Sequence, residues 1–459
     1  MSTDERQQRD DLDQLVEDYT QRGVSRRDFL RRAVAIGLTA SAASTLLAAC
    51  GGGGGTTSTP KSVDLLTTWG GEELASFNAA VAPFTSSTGI KVNVESTRDV
   101  NATLTTRIQG NNPPDIAVLP NPGKMQQLAK QGHLIALNDL VDMNKIRGDY
   151  AKAWIDLGSY NGKLYAIFYK AANKGTIWYN PTTFQTAGYQ IPKTFDDLLT
   201  LSTQIASGGK YPWSMGVSSG AASGWPGADW IDQIYLNQSG PDMYDKWVAH
   251  QIPWTDSSVK QAFQTFGQIV NGTHYINGAP QSILATGFQE SAYPPFKSPP
   301  SAAMFYLGDF AAGFITGQFP SLKPGTGFNF FPFPTINSQF AGAVTGGADL
   351  VTALKNNGAV KQLVAYLATA APQEVWIKRG GFTSVNKSVD LSTYPDPVAK
   401  ASAQQLAGAS IFRFGADDLM PSQVEDAFWK AVLTYIGDQS KLDSALASVE
   451  STAAQAYTS

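Results

Sequence analysis

A five-residue segment has the spacing of a nucleophilic serine. The run Gly216-Val217-Ser218-Ser219-Gly220 matches G-x-S-x-G, which in some hydrolases forms the strand-to-helix turn that exposes a reactive serine. Pro212 shortens the strand that would precede this turn, and Gly224-Trp225-Pro226 leaves no room for the helix that would follow it. Since such a pattern arises easily by chance in a Gly- and Ser-rich loop, we expect no catalytic serine here.

The other titratable residues do not select an enzyme class either. His133, His250 and His274 are scattered along the chain with no cysteine beside them, so a zinc site has no ligand set. A glycosidase needs two carboxylates that flank the scissile bond, and the spacing of the acidic residues neither identifies nor excludes such a pair. We expect no enzyme activity, no metal and no cofactor, and we keep a secreted glycosidase as the alternative.

Composition favours the binding of a neutral polar ligand. The 459 residues include 34 basic and 38 acidic side chains, a net charge of −4, and the body of the chain contains no basic block. A nucleic-acid surface therefore has no electrostatic basis. Charged residues make up 16% of the chain, below the roughly 25% usual for soluble proteins. Ser, Thr, Asn, Gln and 43 Gly replace them, and these residues solvate a surface without strong electric fields.

The first sixty residues have the pattern of an export and anchoring signal. Ser25-Arg26-Arg27-Asp28-Phe29 contains the twin arginine of a twin-arginine export signal. The uncharged stretch 33–49 is too short and too weakly apolar for a spanning helix, which needs about 20 apolar residues. Leu47-Ala48-Ala49-Cys50 resembles a bacterial lipobox, in which cleavage precedes a cysteine that receives lipid.

These patterns predict the fate of the N-terminus. Residues 1–49 are expected to be a twin-arginine lipoprotein signal peptide, and residues 50–60 a Gly/Thr-rich flexible tether. Cys50 is the expected lipidation site, carrying a diacylglycerol and an N-acyl chain such as palmitate. Two or more acyl chains give stable membrane attachment. The mature protein is therefore expected on the extracytoplasmic face of the bacterial cell membrane, bound through its lipid anchor.

Local patterns also predict the elements that would position a binding site. Apolar runs and alternation predict strands at residues 62–69, 90–94 and 115–119, and helical spacing predicts helices at 72–87 and 101–109. The order β-α-β-α-β favours a parallel sheet with right-handed crossovers. In such sheets ligands bind beyond the carboxyl ends of the strands, where this chain has Trp69 and Asn121. Further helices are predicted at 359–371, 397–407 and 423–436, and a capping box at Thr194 and Asp197.

Several motifs, in this order along the chain, resemble those of the extracytoplasmic solute-binding proteins of bacterial ABC importers, the family that includes maltose-binding and other sugar-binding lipoproteins. Each motif is weak alone, but together they span nearly the whole mature chain. They are Asn112-Pro113-Pro114-Asp115-Ile116-Ala117, Gly162-Lys163-Leu164-Tyr165-Ala166, Trp178-Tyr179-Asn180-Pro181, Thr194-Phe195-Asp196-Asp197-Leu198, Met304-Phe305-Tyr306-Leu307-Gly308-Asp309-Phe310, Phe331-Pro332-Phe333-Pro334 and Gly346-Gly347.

The resemblance implies an α/β, two-lobe periplasmic-binding-protein-like fold with a ligand cleft between the lobes. Lobe 1 is expected at 61–170 plus about 336–369, and lobe 2 at about 171–335 plus about 370–459. Three segments are expected to cross between the lobes, near 170–173, 333–335 and 370–373.

The resemblance also implies the function and the partners. A carbohydrate, an oligosaccharide or a glycoside, would be captured by lobe closure and delivered to ABC permease subunits with their ATPase. Because a ligand that contacts both lobes favours the closed form, binding acts by a shift of population. The protein is expected to be a monomer that binds no nucleic acid.

Candidate cleft residues follow from the chemistry of sugars, which present hydroxyl groups at their edges and C–H groups on their faces. Aromatic planes stack on the faces, while amides, carboxylates and hydroxyl groups bond to the edges. Arg379 and Arg413 could also bridge hydroxyl groups, but such side chains are more often solvated or paired. The predicted ligand-binding residues are Trp69, Asn121, Asn173, Trp213, Ser219, Trp225, Trp230, Asp309, Phe310 and Gly347.

Overall fold

The computed structural model describes residues 60–458. The predicted signal peptide, the lipidation site Cys50 and all but the last residue of the tether lie outside the described residues. The strands are β1 Ser62–Thr67, β2 Lys91–Ser96, β3 Ile116–Leu119, β4 Ser159–Tyr160, β5 Lys163–Leu164, β6 Ala166–Asn173, β7 Thr176–Tyr179, β8 Trp213–Ser214, β9 Met304–Tyr306, β10 Asn329–Pro332, β11 Val344–Ala353 and β12 Phe412–Phe414.

The α-helices of the described chain range in length from a single turn to the long helix α8. This helix has a break at Gly240, where φ is 82°. They are α1 Gly71–Thr88, α2 Val100–Gln109, α3 Pro122–Lys130, α4 Met143–Asp149, α5 Lys152–Leu157, α6 Pro181–Ala187, α7 Phe195–Ser207, α8 Trp225–Val248, α9 Ser257–Val270, α10 Gln281–Ala285, α11 Ala311–Gln318, α12 Gly358–Leu367, α13 Ala370–Ile377, α14 Pro397–Gly408, α15 Ala416–Leu419, α16 Ser422–Gly437 and α17 Leu442–Ala456.

The first sheet confirms the predicted β-α-β-α-β unit. β1 pairs in parallel with β2 and with β3, while α1 and α2 form the crossovers. β11 extends the sheet: it pairs antiparallel with β6 along one edge, and its other edge pairs with β12 and then with β3. Successive residues of β1 point to opposite faces, so Leu65 and Leu66 enter two different apolar clusters. Both faces of this sheet are therefore buried, as expected for a largely parallel sheet.

A second, smaller sheet has the strand order β10-β7-β9-β8. Helices α7, α8, α9, α16 and α17 contribute to its main apolar cluster. Thr194 and Asp197 form the predicted capping box at the start of α7. The two sheets with their separate cores confirm the expected two-lobe α/β fold, and we call the part built on the first sheet lobe 1 and the part built on the second sheet lobe 2.

We propose that three segments connect the lobes in the described chain. The first is Lys174 and Gly175, between β6 and β7, and the second lies between β10 and β11. The third differs from the prediction near 370–373: it follows β12 at Gly415 and includes α15, which packs against α8 as well as α3. The prediction missed this crossing because β12 is only three residues long and is held by pairing with the distant β11.

The packing of residues 370–403 bears on the lobe boundaries. Trp376, Phe382 and Ala403 belong to the apolar cluster of lobe 1, which also contains Trp69. The sequence-based division placed this segment in lobe 2. Because its apolar side chains are buried on the first sheet, we propose that lobe 1 continues to the third crossing and that lobe 2 resumes after α15.

In the described part of the chain, every helix is too short or too polar to cross a membrane.

Candidate functional site

A cavity of about 590 Å³ lies between the lobes, within the size range of small-molecule sites. Its lobe 1 wall is formed at the ends of strands β1, β2 and β3, where the carboxyl ends of parallel strands meet. Lobe 2 contributes the loop before α8, the start of α8 and the start of α11. Six of the ten predicted residues line this cavity: Trp69, Asn121, Ser219, Trp225, Phe310 and Gly347.

The aromatic lining of the cavity comes mainly from lobe 2. Trp225 begins α8, and its ring centroid lies 5.2 Å from that of Phe288 and 6.2 Å from that of Phe310. Trp429 on α16 adds a further indole, whose Nε1 donates to Asp417 Oδ2 at 2.8 Å. Trp225 and Phe310 were predicted from the sequence as ligand-binding residues, whereas Phe288 and Trp429 were not.

Gly224 positions Trp225 at the start of α8. Its φ of 112° is in a region that favours glycine, and a Cβ at this position would lie 2.6 Å from the backbone oxygen of Trp429. The glycine therefore permits the close approach of α8 and α16 that brings the two indoles to one cavity.

Trp69 lines the cavity but is only 1% exposed. Its ring packs against Phe77 and Trp376, with centroids at 4.9 Å in each case. Its Nε1 donates to Asp349 Oδ2 at 2.7 Å. The indole thus acts mainly as support for the lobe 1 wall and holds a cavity-lining carboxylate in place.

Asn121 lies at the end of β3 and is 1% exposed. Its Nδ2 donates to Asp418 Oδ1 at 2.8 Å and also to Glu425 Oε1. Its Oδ1 accepts from Asn101 Nδ2 at 3.0 Å. These bonds join the lobe 1 sheet to the third crossing segment at the edge of the cavity.

Two predicted tryptophans are buried in lobe 2, outside the cavity wall. Trp213 and Trp230 pack edge to face with centroids 5.3 Å apart, and each is 1% exposed. Trp213 Nε1 donates to Ser202 Oγ at 3.0 Å, while Trp230 packs on Tyr306 at 4.5 Å. The sequence Gly224-Trp225-Pro226 was expected to leave no room for a helix, but α8 begins at Trp225 and turns Trp230 into the core.

The predicted residues Asn173 and Asp309 also lie outside the cavity wall. Both are buried and hydrogen-bond to neighbouring residues, although Asp309 Oδ1 has no partner. Asn173 Oδ1 accepts from the N–H of Gly175 at 2.9 Å, and its Nδ2 donates to Gln405 Oε1 at 3.1 Å. Asp309 Oδ2 accepts from Thr383 Oγ1 at 2.5 Å and from Ser402 Oγ at 2.9 Å. Both residues brace the region where β6 leaves lobe 1.

Sequence reasoning missed the charged residues of the cavity. Six carboxylates and five basic groups line it, so the wall is nearly neutral overall. They are Glu73, Asp99, Asp349, Asp417, Asp418, Asp426, Arg98, Lys124, Lys170, Lys174 and Lys430. Arg98 and Asp99 follow the end of β2, so the strand-end argument that identified Trp69 and Asn121 could also have identified them.

Lys170 is buried at the edge of the cavity between two carboxylates. Its Nζ lies 2.8 Å from Glu73 Oε1 and 3.8 Å from Asp349 Oδ2. Burial alone lowers the pKa of Lys170, but these two carboxylates outweigh it and the pKa is raised. The same Nζ lies 5.2 Å from the centroid of the Phe310 ring. Lys170 therefore remains charged and connects the polar wall of lobe 1 to an aromatic ring of lobe 2.

Lys174, in the first crossing segment, is also buried between two carboxylates. Its Nζ lies 2.6 Å from Asp229 Oδ1 and 3.3 Å from Asp418 Oδ2. Burial lowers the pKa of Lys174, and the two carboxylates more than reverse this effect and raise the pKa well above its usual value. The ion pairs join the first crossing to α8 and to the third crossing.

Among residues 60–458, the serine motif borders the cavity through Ser219, whereas His250 lies elsewhere. The N–H groups of Ser218 and Ser219 donate to Thr286 O and to Ser223 Oγ, in an irregular segment between β8 and α8. His250 Nε2 lies 3.2 Å from Glu450 Oε1 and outside the cavity wall. Arg413 is paired with Asp245, as the sequence favoured.

The sequence and the fold both match known proteins. The family profile described as "Bacterial extracellular solute-binding protein" matches residues 69–374. The chain is 34% identical over 378 residues to the osmoprotective compounds-binding protein GgtB of Synechocystis sp., with 82% of this chain and 89% of that protein covered. It is 33% identical over 394 residues to the alpha-glucosides-binding periplasmic protein AglE of Rhizobium meliloti, with 83% and 85% covered.

Solved structures share the fold at lower sequence identity. The bacterial solute receptor AcbH has a TM-score of 0.75 and 22% identity, with 86% of this chain and 99% of that chain covered. A chitin oligosaccharide binding protein has a TM-score of 0.75 and 20% identity, with 87% and 99% covered. From the profile match, the two relatives and the two-lobe fold around a cavity, we conclude that this chain belongs to the bacterial extracellular solute-binding proteins.

Proposed function

We propose that the protein is the carbohydrate receptor of an ABC importer. The observation that carries this proposal is the cavity, in which the aromatic rings of Trp225, Phe310 and Trp429 lie opposite a polar wall with nearly balanced charge. Rings suit the C–H faces of a sugar, and amides and ion-paired side chains suit its hydroxyl groups. The names of the two relatives, which refer to osmoprotective compounds and alpha-glucosides, are consistent with such a ligand.

The balanced charge favours a neutral oligosaccharide or glycoside over a phosphorylated one. Phosphate binding uses clusters of free Arg or Lys side chains. Lys170 and Lys174 already have carboxylate partners, and Arg98 lies 3.6 Å from Glu73. We propose that Trp225 and Phe310 stack on the sugar and that Ser219, Asn121 and the backbone at Gly347 contact its edge.

The ligand would act by holding the lobes together. A sugar that contacts Trp225 in lobe 2 and the strand ends of lobe 1 binds the closed form better than the open one, so it shifts the population to the closed form. The permease subunits, with their ATPase, would recognise that form. In this proposal no bond of the sugar is broken, and the protein works as a monomer.

A thermal-shift panel with product analysis tests the ligand class. The purified full chain is heated with monosaccharides, maltose-type and other oligosaccharides, polyols and sugar phosphates, one at a time. A ligand at a hundred times its Kd adds about 2.7 kcal/mol to the free energy of unfolding. We expect a shift with at least one neutral sugar, recovered intact. Cleavage of the sugar would instead support the glycosidase, and a shift with sugar phosphates alone would overturn the neutral ligand.

The family is extracellular, so the protein works outside the cytoplasm. We propose that the twin-arginine route exports it and that lipid on Cys50 holds it to the cell membrane. Labelled palmitate should enter the wild-type chain in cells and not a Cys50→Ser variant. Replacement of Arg26 and Arg27 by Lys should retain the precursor in the cytoplasm. Equal labelling of both chains would overturn the anchor.

A further inference from the structure

Three buried aspartates form a compact cluster beside the cavity, which we call the carboxylate cluster: Asp229 and Asp232 on α8, and Asp417 on α15. Each is at most 1% exposed, and one carboxylate oxygen from each residue lies within 4.8 Å of those of the other two. Asp229 and Asp232 are three residues apart, so they lie on the same face of α8. α15 brings the third carboxylate from the third crossing segment.

Two oxygens of the carboxylate cluster have no hydrogen-bond partner. Asp229 Oδ1 accepts from Lys174 Nζ at 2.6 Å, and Asp232 Oδ2 accepts from the N–H of Ala416 at 2.8 Å. Asp229 Oδ2 and Asp232 Oδ1 are buried and unpaired. A buried polar atom without a partner costs free energy, so a native fold rarely leaves two of them in one cluster.

The charges of this region are also unbalanced. Asp418 adds a fourth buried carboxylate, which shares Lys174 with Asp229. The described contacts of Asp232 and Asp417 come from neutral N–H groups, those of Ala416, Asp418 and Trp429. One ammonium group therefore faces four carboxylates, and buried carboxylates are stable only with a cation or a proton among them.

We propose that the carboxylate cluster binds a single calcium-sized hard cation. Oxygen-only donors suit Ca²⁺ or Mg²⁺ rather than zinc or copper. Ca²⁺ keeps its oxygen ligands at about 2.3–2.6 Å, so oxygens on opposite sides of the ion are roughly 5 Å apart. The oxygens of the cluster, all within 4.8 Å of one another, fit within that span. Each carboxylate can offer one or two oxygens, and the two unpaired ones become ligands.

The cation would have a structural effect on the sugar site. It would fix α15 to α8, and α15 carries Asp417 and Asp418 into the cavity wall. The proposal does not depend on the sugar, because the cluster is complete without one.

Thermal unfolding of the full chain tests the proposal in the absence of sugar. After treatment with a chelator, Ca²⁺ should raise the Tm of the wild-type chain by at least about 3 °C, and excess chelator should reverse the rise. Calorimetric titration should give one Ca²⁺ per chain. Asp232→Asn should abolish the response, since it removes a charged ligand and keeps an oxygen for the N–H of Ala416. Asp242→Asn, an exposed aspartate on the same helix, should respond as the wild type does.

Terbium luminescence gives a second measurement that needs no variant of a cluster residue. Tb³⁺ replaces Ca²⁺ in oxygen sites and emits when a nearby indole is excited. Tb³⁺ should emit with the wild-type chain, Ca²⁺ should displace it, and Trp429→Phe should lower the emission.

Three results would overturn the proposal: no Ca²⁺ response in the wild-type chain, an undiminished response in Asp232→Asn, or Tb³⁺ emission that Ca²⁺ does not displace. If the Tm is insensitive to cations but Asp232→Asn is more stable than the wild type, a shared proton occupies the cluster instead.

Discussion

Asp99 Oδ1 in lobe 1 accepts a hydrogen bond from the backbone N–H of Ala221 in lobe 2 at 2.9 Å. Beside it, the guanidinium carbon of Arg98 lies 4.8 Å from the centroid of the Phe288 ring. Both contacts cross the cleft between the end of β2 and the loops of lobe 2. Gly220 permits the close approach of Asp99 to the Ala221 N–H, because a Cβ at position 220 would lie 3.1 Å from Asp99 Oδ1.

We expect Asp99→Ala to weaken ligand binding about fivefold, because the bond is made between the lobes and favours closure by about 1 kcal/mol. Calorimetry with the best sugar of the panel measures the Kd. Asp142→Ala is the matched control, since Asp142 is exposed and accepts from backbone N–H groups within lobe 1. An equal loss of affinity in both variants would show that the contact between Asp99 and Ala221 has no special role in closure.

Trp225→Ala should lower the affinity for the sugar roughly 30-fold, which corresponds to about 2 kcal/mol for a stacked ring at the centre of a site. The comparison is Trp154→Ala. Trp154 is also half-buried, but it packs on Phe168 at 4.9 Å, outside the cavity wall. That variant should lose stability and keep its affinity. Unchanged binding in Trp225→Ala would remove this ring from the proposed site.

Lys170→Met should destabilise the fold by about 3 kcal/mol, because it leaves Asp349 without its cation and Glu73 with Arg98 alone, at 3.6 Å. Denaturant unfolding measures the change. Lys152→Met breaks an exposed pair with Asp156 and should cost less than about 0.5 kcal/mol. A similarly small loss of stability in both variants would contradict the view that Lys170 balances the charge of the carboxylates in the lobe 1 wall.

The ionisation of Asp309 should lower the stability of the fold as the pH rises. A carboxylate whose pKa is lowered by folding has the opposite effect. Burial raises the pKa of Asp309 above its usual value of 3.8, while Thr383, Ser402 and Lys170 oppose this shift. Because the folded state binds the proton more tightly than the unfolded state, ionised Asp309 costs stability above its folded pKa. That cost disappears as the pH falls towards 3.8.

Asp309→Asn removes this charge and leaves an oxygen to accept from Thr383 and Ser402. We expect the variant to be more stable than the wild type at pH 7, with the difference shrinking as the pH falls. Unfolding curves from pH 4 to 7 measure it. A difference that grows on acidification would mean that the folded state favours the charged form.

The sequence by itself determined the local elements and their order over residues 62–119, where β1, α1, β2, α2 and β3 fall within a few residues of the predictions. Their periodicity is local, and each crossover returns the chain to run parallel to β1, so the carboxyl ends of the three strands lie at the same end of the sheet. For that reason Trp69 and Asn121 could be placed at the cavity from strand ends alone.

Only the tertiary structure decided which aromatic rings line the cavity and where the chain crosses between the lobes. Trp213, Trp225 and Trp230 lie in one segment, yet helix geometry and distant partners such as Tyr306 leave only Trp225 on the cavity. The third crossing and the partners of Lys174 likewise depend on residues more than fifty positions away in the chain. Burial is set by such long-range packing, which local sequence patterns do not encode.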